Sequence, residues 1–229
     1  MAGSVESVLV QPAQSLTDLL LGIVVVLLAL RLRRSPSAHG YWRAAFWWAG
    51  IGALAGAVHH GLIMRWPHWG DLSWAIISVI VVVAVSYLLA STVAEVLGPG
   101  RVRVFWLLRS VGIVAYVLMA ATGHAGIAAI LSCESLTMLS VLILWGWAAI
   151  RGHPLARPVL IAILASGAAG AAQALSPDVT DRVGLDPISV YHLAQIVGMV
   201  LLYQAIAGSR WVGDTVAPVE RAAEPEGQE

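Results

Sequence analysis

Titratable residues are concentrated in a few short stretches of an otherwise apolar chain. The stretch from Val58 to Asp71, VHHGLIMRWPHWGD, holds three histidines, an arginine and an aspartate. Far along the chain, VYHLAQIVGMVLLYQA carries His192 and Gln195, and the segment LSCESLTML carries Glu134. Histidine and carboxylate side chains are groups that bind zinc and that transfer protons in enzymes. These residues are therefore candidates for a metal-binding or acid–base site.

The composition predicts an integral membrane protein. Of the 229 residues, 59% are hydrophobic and 11% are charged, whereas soluble domains carry about 25% charged residues. The net charge is zero, which gives no support for nucleic-acid binding. All thirteen basic residues are arginine, so a retinal Schiff base, which needs a lysine, is excluded. The single cysteine, Cys133, excludes an internal disulfide.

Seven segments are long and apolar enough to span a bilayer, which requires about 20 residues. They run over 17–32, 43–64, 72–96, 103–122, 125–150, 156–175 and 187–208. We therefore expect one all-α membrane domain of seven transmembrane helices over residues 17–210. Residues 1–16 are expected to be an extracytoplasmic segment. The Pro- and Glu-rich residues 211–229 are predicted to form a disordered cytoplasmic tail.

The distribution of arginine predicts the orientation of these helices. Only Arg65 and Arg182 fall on one side, and Arg65 has Asp71 as its candidate partner. Because cytoplasmic loops are enriched in basic residues, the N-terminus is predicted to lie outside and the C-terminus in the cytoplasm. The absence of lysine suggests a GC-rich bacterial genome, so the expected location is the bacterial inner membrane. The arginines on the cytoplasmic side are Arg31, Arg33, Arg34, Arg43, Arg101, Arg103, Arg109, Arg151, Arg157, Arg210 and Arg221.

With this orientation, the embedded titratable residues lie in the outer half of the membrane. Glu134 is about 15 Å, and His192 about 8 Å, from the outer helix ends. Small residues share the helical face of His60, so His60 is preferred to His59 as the inward-facing histidine. Asp18 is interpreted mainly as an acid near the positive end of the first helix. Because ionisable groups within a membrane indicate function, we expect one polar pocket that opens outward.

The layout resembles the seven-helix superfamily called CREST, which includes alkaline ceramidases and the progestin and adiponectin receptors. Its signature is Ser-x-x-x-His near the end of helix 2, an aspartate opening helix 3, and His-x-x-x-His in helix 7. His60, Asp71 and His192 match three of these positions. The helix 7 segment is also similar to that of uncharacterised bacterial seven-helix proteins. The resemblance implies a zinc ion, held by histidines, that activates water for amide hydrolysis.

The metal motif of this chain departs from that signature. Gly56 stands where the serine is expected, and Ile196 stands where the second histidine of helix 7 is expected. Two histidines are one ligand short of the usual catalytic zinc site, so a third ligand is required. A carboxylate would complete a set of two histidines and one acid. The candidates for the third ligand are Asp71, Glu134 and His59.

Three functions are consistent with these residues. The first is a membrane hydrolase that acts on an amide or ester bond of a lipid-like substrate, with zinc as its expected cofactor. Its metal ligands would be His60 and His192, and its catalytic residues would come from Asp71, Glu134 and Gln195. The second is a metal-free isoprenoid cyclase in which Glu134 donates a proton. The third is a non-enzymatic protein that binds haem or a lipid, or serves as a subunit. The expected partners are the bilayer and an apolar small molecule or lipid, with no nucleic acid.

Overall fold

The computed structural model describes residues 8–32, 37–123, 127–171 and 184–221, with side chains except at 37–39, 127–128 and 209–221. All regular structure in these residues is helical, which confirms the all-α prediction for this part of the chain. A short 3-10 helix, Ile63–Arg65, follows the second α-helix. The α-helices are α1, Pro12–Arg31; α2, Ser37–Gly61; α3, Pro67–Leu97; α4, Val102–Ala121; α5, Ile127–Ile150; α6, Ala156–Ala171; and α7, Pro187–Arg221.

Five of these helices are long and apolar enough to cross a membrane. They are α1, α3, α4, α5 over Ala129–Ile150, and α7 over Pro187–Gly208. A helix of 20 residues rises about 30 Å, which matches the hydrocarbon thickness of a bilayer. α6 is apolar but has only 16 described residues. α2 is not among the five, and its sequence contains Arg43, His59 and His60.

Proline and glycine set several of the helix ends. α1, α3 and α7 begin at Pro12, Pro67 and Pro187, where the missing N–H of proline costs no helical hydrogen bond. α1 and α3 consequently begin earlier than the sequence predicted. Gly98 and Gly100, with φ angles of 90° and 83°, occupy the left-handed region and turn the chain from α3 into α4.

Six helices form a closed ring, and α4 packs outside it. Neighbours in the ring follow the order α1, α2, α3, α5, α6 and α7, and α7 returns to contact α1. α4 packs mainly against α5, with a smaller contact to α3. We call the end with the α2–α3 connection the histidine end. The opposite end, with the α3–α4 and α5–α6 connections, is the arginine end.

The apolar core fills the ring toward the arginine end. Trp42 of α2 and Trp145 of α5 are 1% and 0% exposed, and their ring centroids are 6.5 Å apart. The indole N–H of Trp145 donates to the hydroxyl of Thr92 at 3.1 Å. Other fully buried members include Phe46, Leu89, Val141, Val159 and Ile206. The histidine end, in contrast, contains buried polar side chains.

The C-terminal region differs from the sequence prediction. α7 continues to Arg221, so residues 211–221 are helical where a disordered tail was predicted. The backbone of this segment continues the hydrogen-bond ladder of α7 except at Pro218, which has no N–H to donate. Residues 222–229, and residues 1–7 of the predicted N-terminal segment, lie outside the described residues.

Candidate functional site

Asp18 of α1 lies between two histidines from neighbouring helices. Its Oδ1 is 3.2 Å from Nε2 of His192 in α7, and its Oδ2 is 3.9 Å from Nε2 of His60 in α2. Asp18 and His192 are 5% and 6% exposed, and the His60 side chain is 12% exposed. The two imidazole centroids are 6.5 Å apart. The structure therefore brings both predicted metal ligands together on one carboxylate. We call Asp18, His60 and His192 the histidine–aspartate cluster.

Helix packing explains why these three side chains meet. α1 contacts both α2 and α7, so one face of α1 can present Asp18 to a residue from each neighbour. The Asp18 carboxylate fills the space beside Gly56, where a Cβ would lie 2.5 Å from Oδ2. Gly56 stands where the CREST signature has serine. In this chain that space holds the carboxylate of α1.

The hydrogen bonds of the two imidazoles define which ring nitrogens face Asp18. Nδ1 of His60 is 2.8 Å from Oε1 of Gln11, and an amide oxygen can only accept, so Nδ1 donates. Nδ1 of His192 is 3.1 Å from the Thr17 hydroxyl, which also lies 2.9 Å from the carbonyl of Ala13. With the Thr17 hydrogen on Ala13, Nδ1 of His192 donates as well, and both Nε2 atoms of the neutral rings present lone pairs to the carboxylate. With that hydrogen on Nδ1, Nε2 of His192 carries the ring proton and donates to Oδ1 of Asp18.

Nitrogen lone pairs and a carboxylate that face each other repel unless a positive charge lies between the nitrogen and the oxygen. A proton on a ring or on the carboxyl group could supply it, and so could a metal cation. Either one would satisfy the groups that meet at this position.

Residues 8–11 run across the end of α2 and support His60. The backbone N–H groups of Val10 and Gln11 donate to the carbonyls of Gly61 and His60 at 2.9 and 3.1 Å. The last carbonyls of a helix lack partners within the helix, so these bonds cap α2. The side chain of Gln11 therefore reaches His60 from a fixed backbone.

Asp186 caps α7 and ties it to α1. Its Oδ1 accepts from the backbone N–H groups of Ile188 and Ser189 at 3.0 and 3.1 Å and from Nε2 of Gln14 at 3.1 Å. Its Oδ2 accepts from the Ser189 hydroxyl. Burial raises the pKa of Asp186, but the hydrogen bonds from Ser189 and Ile188 outweigh it and lower the pKa below its usual value. These bonds fix the first turn of α7, which leads directly to His192.

Gln14 carries a buried acceptor without a partner. Its amide nitrogen donates to Asp186, which fixes the orientation of the amide and leaves Oε1 on the other side. That oxygen is buried and has no hydrogen-bond donor among the described residues. Gln14 lies one helical turn before Asp18 on the same face of α1. An unsatisfied buried carbonyl costs about 1–3 kcal/mol, so a donor from water or a ligand is expected at this position.

The donor types of the cluster, two imidazoles and a carboxylate, are those of a zinc site. Neighbouring donors around a tetrahedral zinc ion, with bonds of about 2.0–2.1 Å, are about 3.3 Å apart. His192 is 3.2 Å from Oδ1 of Asp18 and His60 is 3.9 Å from Oδ2, so the two distances start from different oxygens. Metal-binding histidines usually donate their other N–H to a nearby acceptor, as His60 does here and as His192 does with the Thr17 hydrogen on Ala13. No three His, Cys, Asp or Glu residues in the described chain already stand in ligand geometry, so binding would draw His60 toward Asp18.

Asp71 and Gln195 are not brought to the cluster. Asp71 lies exposed near the start of α3. Arg65, its suggested partner, donates instead to the carbonyl of Val8 at 2.6 Å. Nε2 of Gln195 is 3.4 Å from the hydroxyl of Ser166, so this side chain reaches α6.

His59 lies between His60 and α3. Its ring is buried, and its Nδ1 is 2.6 Å from the hydroxyl of Ser73 in α3. The ring of His59 meets the ring of His60 edge-on, with centroids 5.0 Å apart. His59 therefore packs against the cluster without contacting its carboxylate.

Glu134 forms a separate buried ion pair between α4 and α5. Its Oε1 accepts from Nη2 of Arg109 at 3.0 Å, while Nη1 of Arg109 donates to the hydroxyl of Thr137 at 2.6 Å. Arg109 is 3% exposed, which corrects its place among the arginines at the cytoplasmic rim. Counting charges along the chain does not show on which side of a helix a residue lies, and Arg109 lies on the side of α4 that faces α5. Oε2 of Glu134 is buried without a donor among the described residues.

Comparison with known proteins assigns the chain to a family without a known activity. Residues 13–210 match a family of unknown function, DUF6962. The chain belongs to this family. No curated protein and no solved structure matches it. The matched DUF6962 region covers α2 to α6 in full, nearly all of α1, α7 as far as residue 210, and the whole histidine–aspartate cluster.

Asp18 and Asp186 were not assigned to this site from the sequence. Asp18 was interpreted mainly as an acid near a helix end, yet it lies six positions after Pro12 and points into the bundle. Its depth within the first apolar segment was the available signal. Asp186 was treated as part of a loop. The pair Asp-Pro before an apolar helix is an N-cap followed by proline at the first helical position, and this pattern could have identified it.

Proposed function

We propose that the protein is a membrane hydrolase in which Asp18, His60 and His192 bind a divalent metal ion, with zinc the best candidate. The proposal includes seven transmembrane helices, an external N-terminus and a cytoplasmic C-terminus in a bacterial inner membrane. It also includes a distant relationship to the CREST superfamily. Asp18 replaces Asp71 and Glu134 as the proposed third ligand.

One observation carries the proposal. Two histidines from different helices direct their Nε2 atoms at one buried carboxylate, and each ring is held by a hydrogen bond at Nδ1. This is the arrangement by which proteins hold metal ions with a neutral imidazole and a defined tautomer. A set of two histidines and one carboxylate also leaves a coordination position free for water or substrate.

The roles of the surrounding side chains follow from their contacts. A bound zinc ion would polarise a carbonyl group and lower the pKa of a water molecule toward neutrality. Gln11 and Thr17 can hold the two imidazoles in the tautomer that leaves Nε2 available. Oε1 of Gln14, which lacks a donor, can accept a hydrogen bond from an N–H or O–H group of the substrate. His60 is the most exposed member of the cluster and gives it contact with solvent.

The depth of the cluster suits a lipid-like substrate. Asp18 lies six residues into α1, about 9 Å below the helix end. The polar region on each side of the hydrocarbon core is about 5–8 Å thick. The cluster is therefore near the depth at which amide and ester bonds join lipid head groups to acyl chains.

The alternative functions receive less support from the geometry. Oε1 of Glu134 is held by Arg109 at 3.0 Å, so a cyclase substrate would have to compete with this ion pair for the carboxyl group. A haem plane between His60 and His192 would compete for the space beside Nε2 that the Asp18 carboxylate fills. The described structure therefore favours the hydrolase.

Elemental analysis of the detergent-purified protein tests the proposal. We expect about one zinc or other divalent ion per chain, and at least about a ten-fold loss of retained metal in Asp18→Asn and His192→Ala. His68→Ala, which alters an exposed histidine outside the cluster, is the control and should keep the metal. A monodisperse preparation that hydrolyses lipid amides or esters without stoichiometric metal would contradict it.

A further inference from the structure

A cavity lies at the arginine end, far along the helices from the histidine–aspartate cluster. It has a volume of about 540 Å³ and lies between α3, α4 and the beginning of α2. This volume falls within the range typical of small-molecule sites. Its lining residues come from the last turns of α3, the α3–α4 turn and the first turns of α4. No residue of the cluster lines it.

The walls of the cavity are apolar along its length. Val83, Ala90 and Val93 line it from α3, and Phe105 lines it from α4. α4 packs only beside the ring, and the small residue Ala90 leaves space between it and α3. The apolar lining of this groove is complementary to an acyl chain, which is apolar and flexible.

The rim of the cavity is polar and positively charged. Arg101 lines it at the α3–α4 turn, and its exposed guanidinium forms no ion pair with any described residue. Tyr41 and Tyr87 also line the cavity, and neither hydroxyl has a hydrogen-bond partner in the described part of the chain. A cation and two free hydroxyl groups next to an apolar groove are complementary to a phosphate ester that carries an acyl chain.

We propose that this groove binds one anionic glycerophospholipid, with an acyl chain between α3 and α4 and the phosphate on Arg101. Tyr41 and Tyr87 donate hydrogen bonds to the phosphate or glycerol oxygens. With the proposed orientation, the rim faces the cytoplasmic leaflet, where anionic lipids and basic residues attract each other. This site is independent of the proposed hydrolase activity.

Native mass spectrometry of the full chain tests the proposal. The protein is released from nanodiscs that contain equal amounts of phosphatidylglycerol and phosphatidylcholine, and the retained lipid is identified. We expect retention of one phosphatidylglycerol in preference to phosphatidylcholine. Arg101→Gln should reduce that preference about five-fold, the effect of one surface cation near an anionic lipid. Arg103→Gln, which changes an exposed arginine outside the cavity, should leave it unchanged.

A second variant separates a lipid in the groove from one held only at the rim. Ala90→Phe places a bulky ring in the apolar wall and should abolish retention of both lipids in a protein that stays monodisperse. Equal retention of the two lipids by the parent would overturn the proposal. So would an unchanged preference in Arg101→Gln, or full retention in Ala90→Phe.

Discussion

A single glycine makes room for the carboxylate on which the cluster depends. Gly56 lies against Asp18, and a Cβ there would lie 2.5 Å from Oδ2 and push the carboxylate aside. The position of the Asp18 carboxylate between the two histidines therefore depends on the absence of a side chain at residue 56.

At the residue scale, Gly56→Ala should disrupt the site without removing any ligand. We expect retained metal and hydrolysis to fall at least about ten-fold, because a shift of Asp18 separates it from both histidines. Gly52→Ala lies in the same helix, where a Cβ would only approach Ile80 at 3.3 Å, and serves as the control. Metal content in Gly56→Ala equal to that of the control would show that Asp18 is not a ligand.

The cap at Asp186 predicts a pH dependence of stability. Its pKa is lowered in the folded protein, so its contribution is complete above the usual value of about 4 and is lost as the pH falls through the folded pKa. Asp186→Ala should reduce the free energy of unfolding by about 1 kcal/mol at pH 6, and the difference should shrink toward pH 3. Thermal unfolding in detergent measures both.

The matching control is Asp186→Asn, which keeps a capping side chain but cannot ionise. It should show less of this pH dependence than the parent. An Asp186→Ala difference that stays constant down to pH 3 would rule out the ionised cap.

At the scale of helices, the Arg109–Glu134 pair holds α4 to the ring. Gly112 assists, because a Cβ there would lie 2.6 Å from the carbonyl of Cys133 in α5. Since α4 has few contacts with helices other than α5, its attachment to the ring depends largely on the face that carries Arg109 and Gly112. Removing one partner of a buried ion pair leaves an uncompensated charge.

We therefore expect Arg109→Met and Glu134→Gln each to lower the free energy of unfolding. The more destabilising of the two should lower it by about 3–5 kcal/mol. The double variant Arg109→Met with Glu134→Leu should lose less than Arg109→Met alone, because no buried charge remains. Hydrolase activity of the double variant, measured after it is shown to be folded, distinguishes a structural from a catalytic role for Glu134. Loss of all activity in a folded double variant would favour catalysis.

Sequence patterns identified the helices and two of the cluster residues, but not how the helices pack. His60 and His192 could be chosen because titratable groups in apolar segments are costly. Asp18 could not be joined to them, because that pairing depends on α1 lying between α2 and α7. Glu134 was assigned to the same pocket for a similar reason. The depth of a residue along its helix can be predicted from the sequence, but the helix that packs against it cannot. Opposite charges at Arg109 and Glu134 in consecutive helices were an available signal for their pairing.

At the scale of the whole molecule, the orientation can be tested by cysteine labelling in intact cells. The only native cysteine, Cys133, is buried, so background labelling should be low. A membrane-impermeant maleimide should react with His68→Cys at the histidine end and not with Pro99→Cys at the arginine end. Permeabilised cells provide the control, since Pro99→Cys should react there. The reverse pattern would invert the proposed topology and place the cluster toward the cytoplasm.

The contact between the first and last helices has a consequence for biosynthesis. Thr17 and His192, which are hydrogen-bonded, are 175 residues apart in the chain. At a synthesis rate of about 5–20 residues per second, α1 waits roughly 10–35 s for α7 to emerge. During that interval the nascent chain can pair Asp18 only with His60. Metal capture should thus be a late event that follows release from the ribosome, and a chain interrupted before α7 should leave a half-formed site for membrane quality control to recognise.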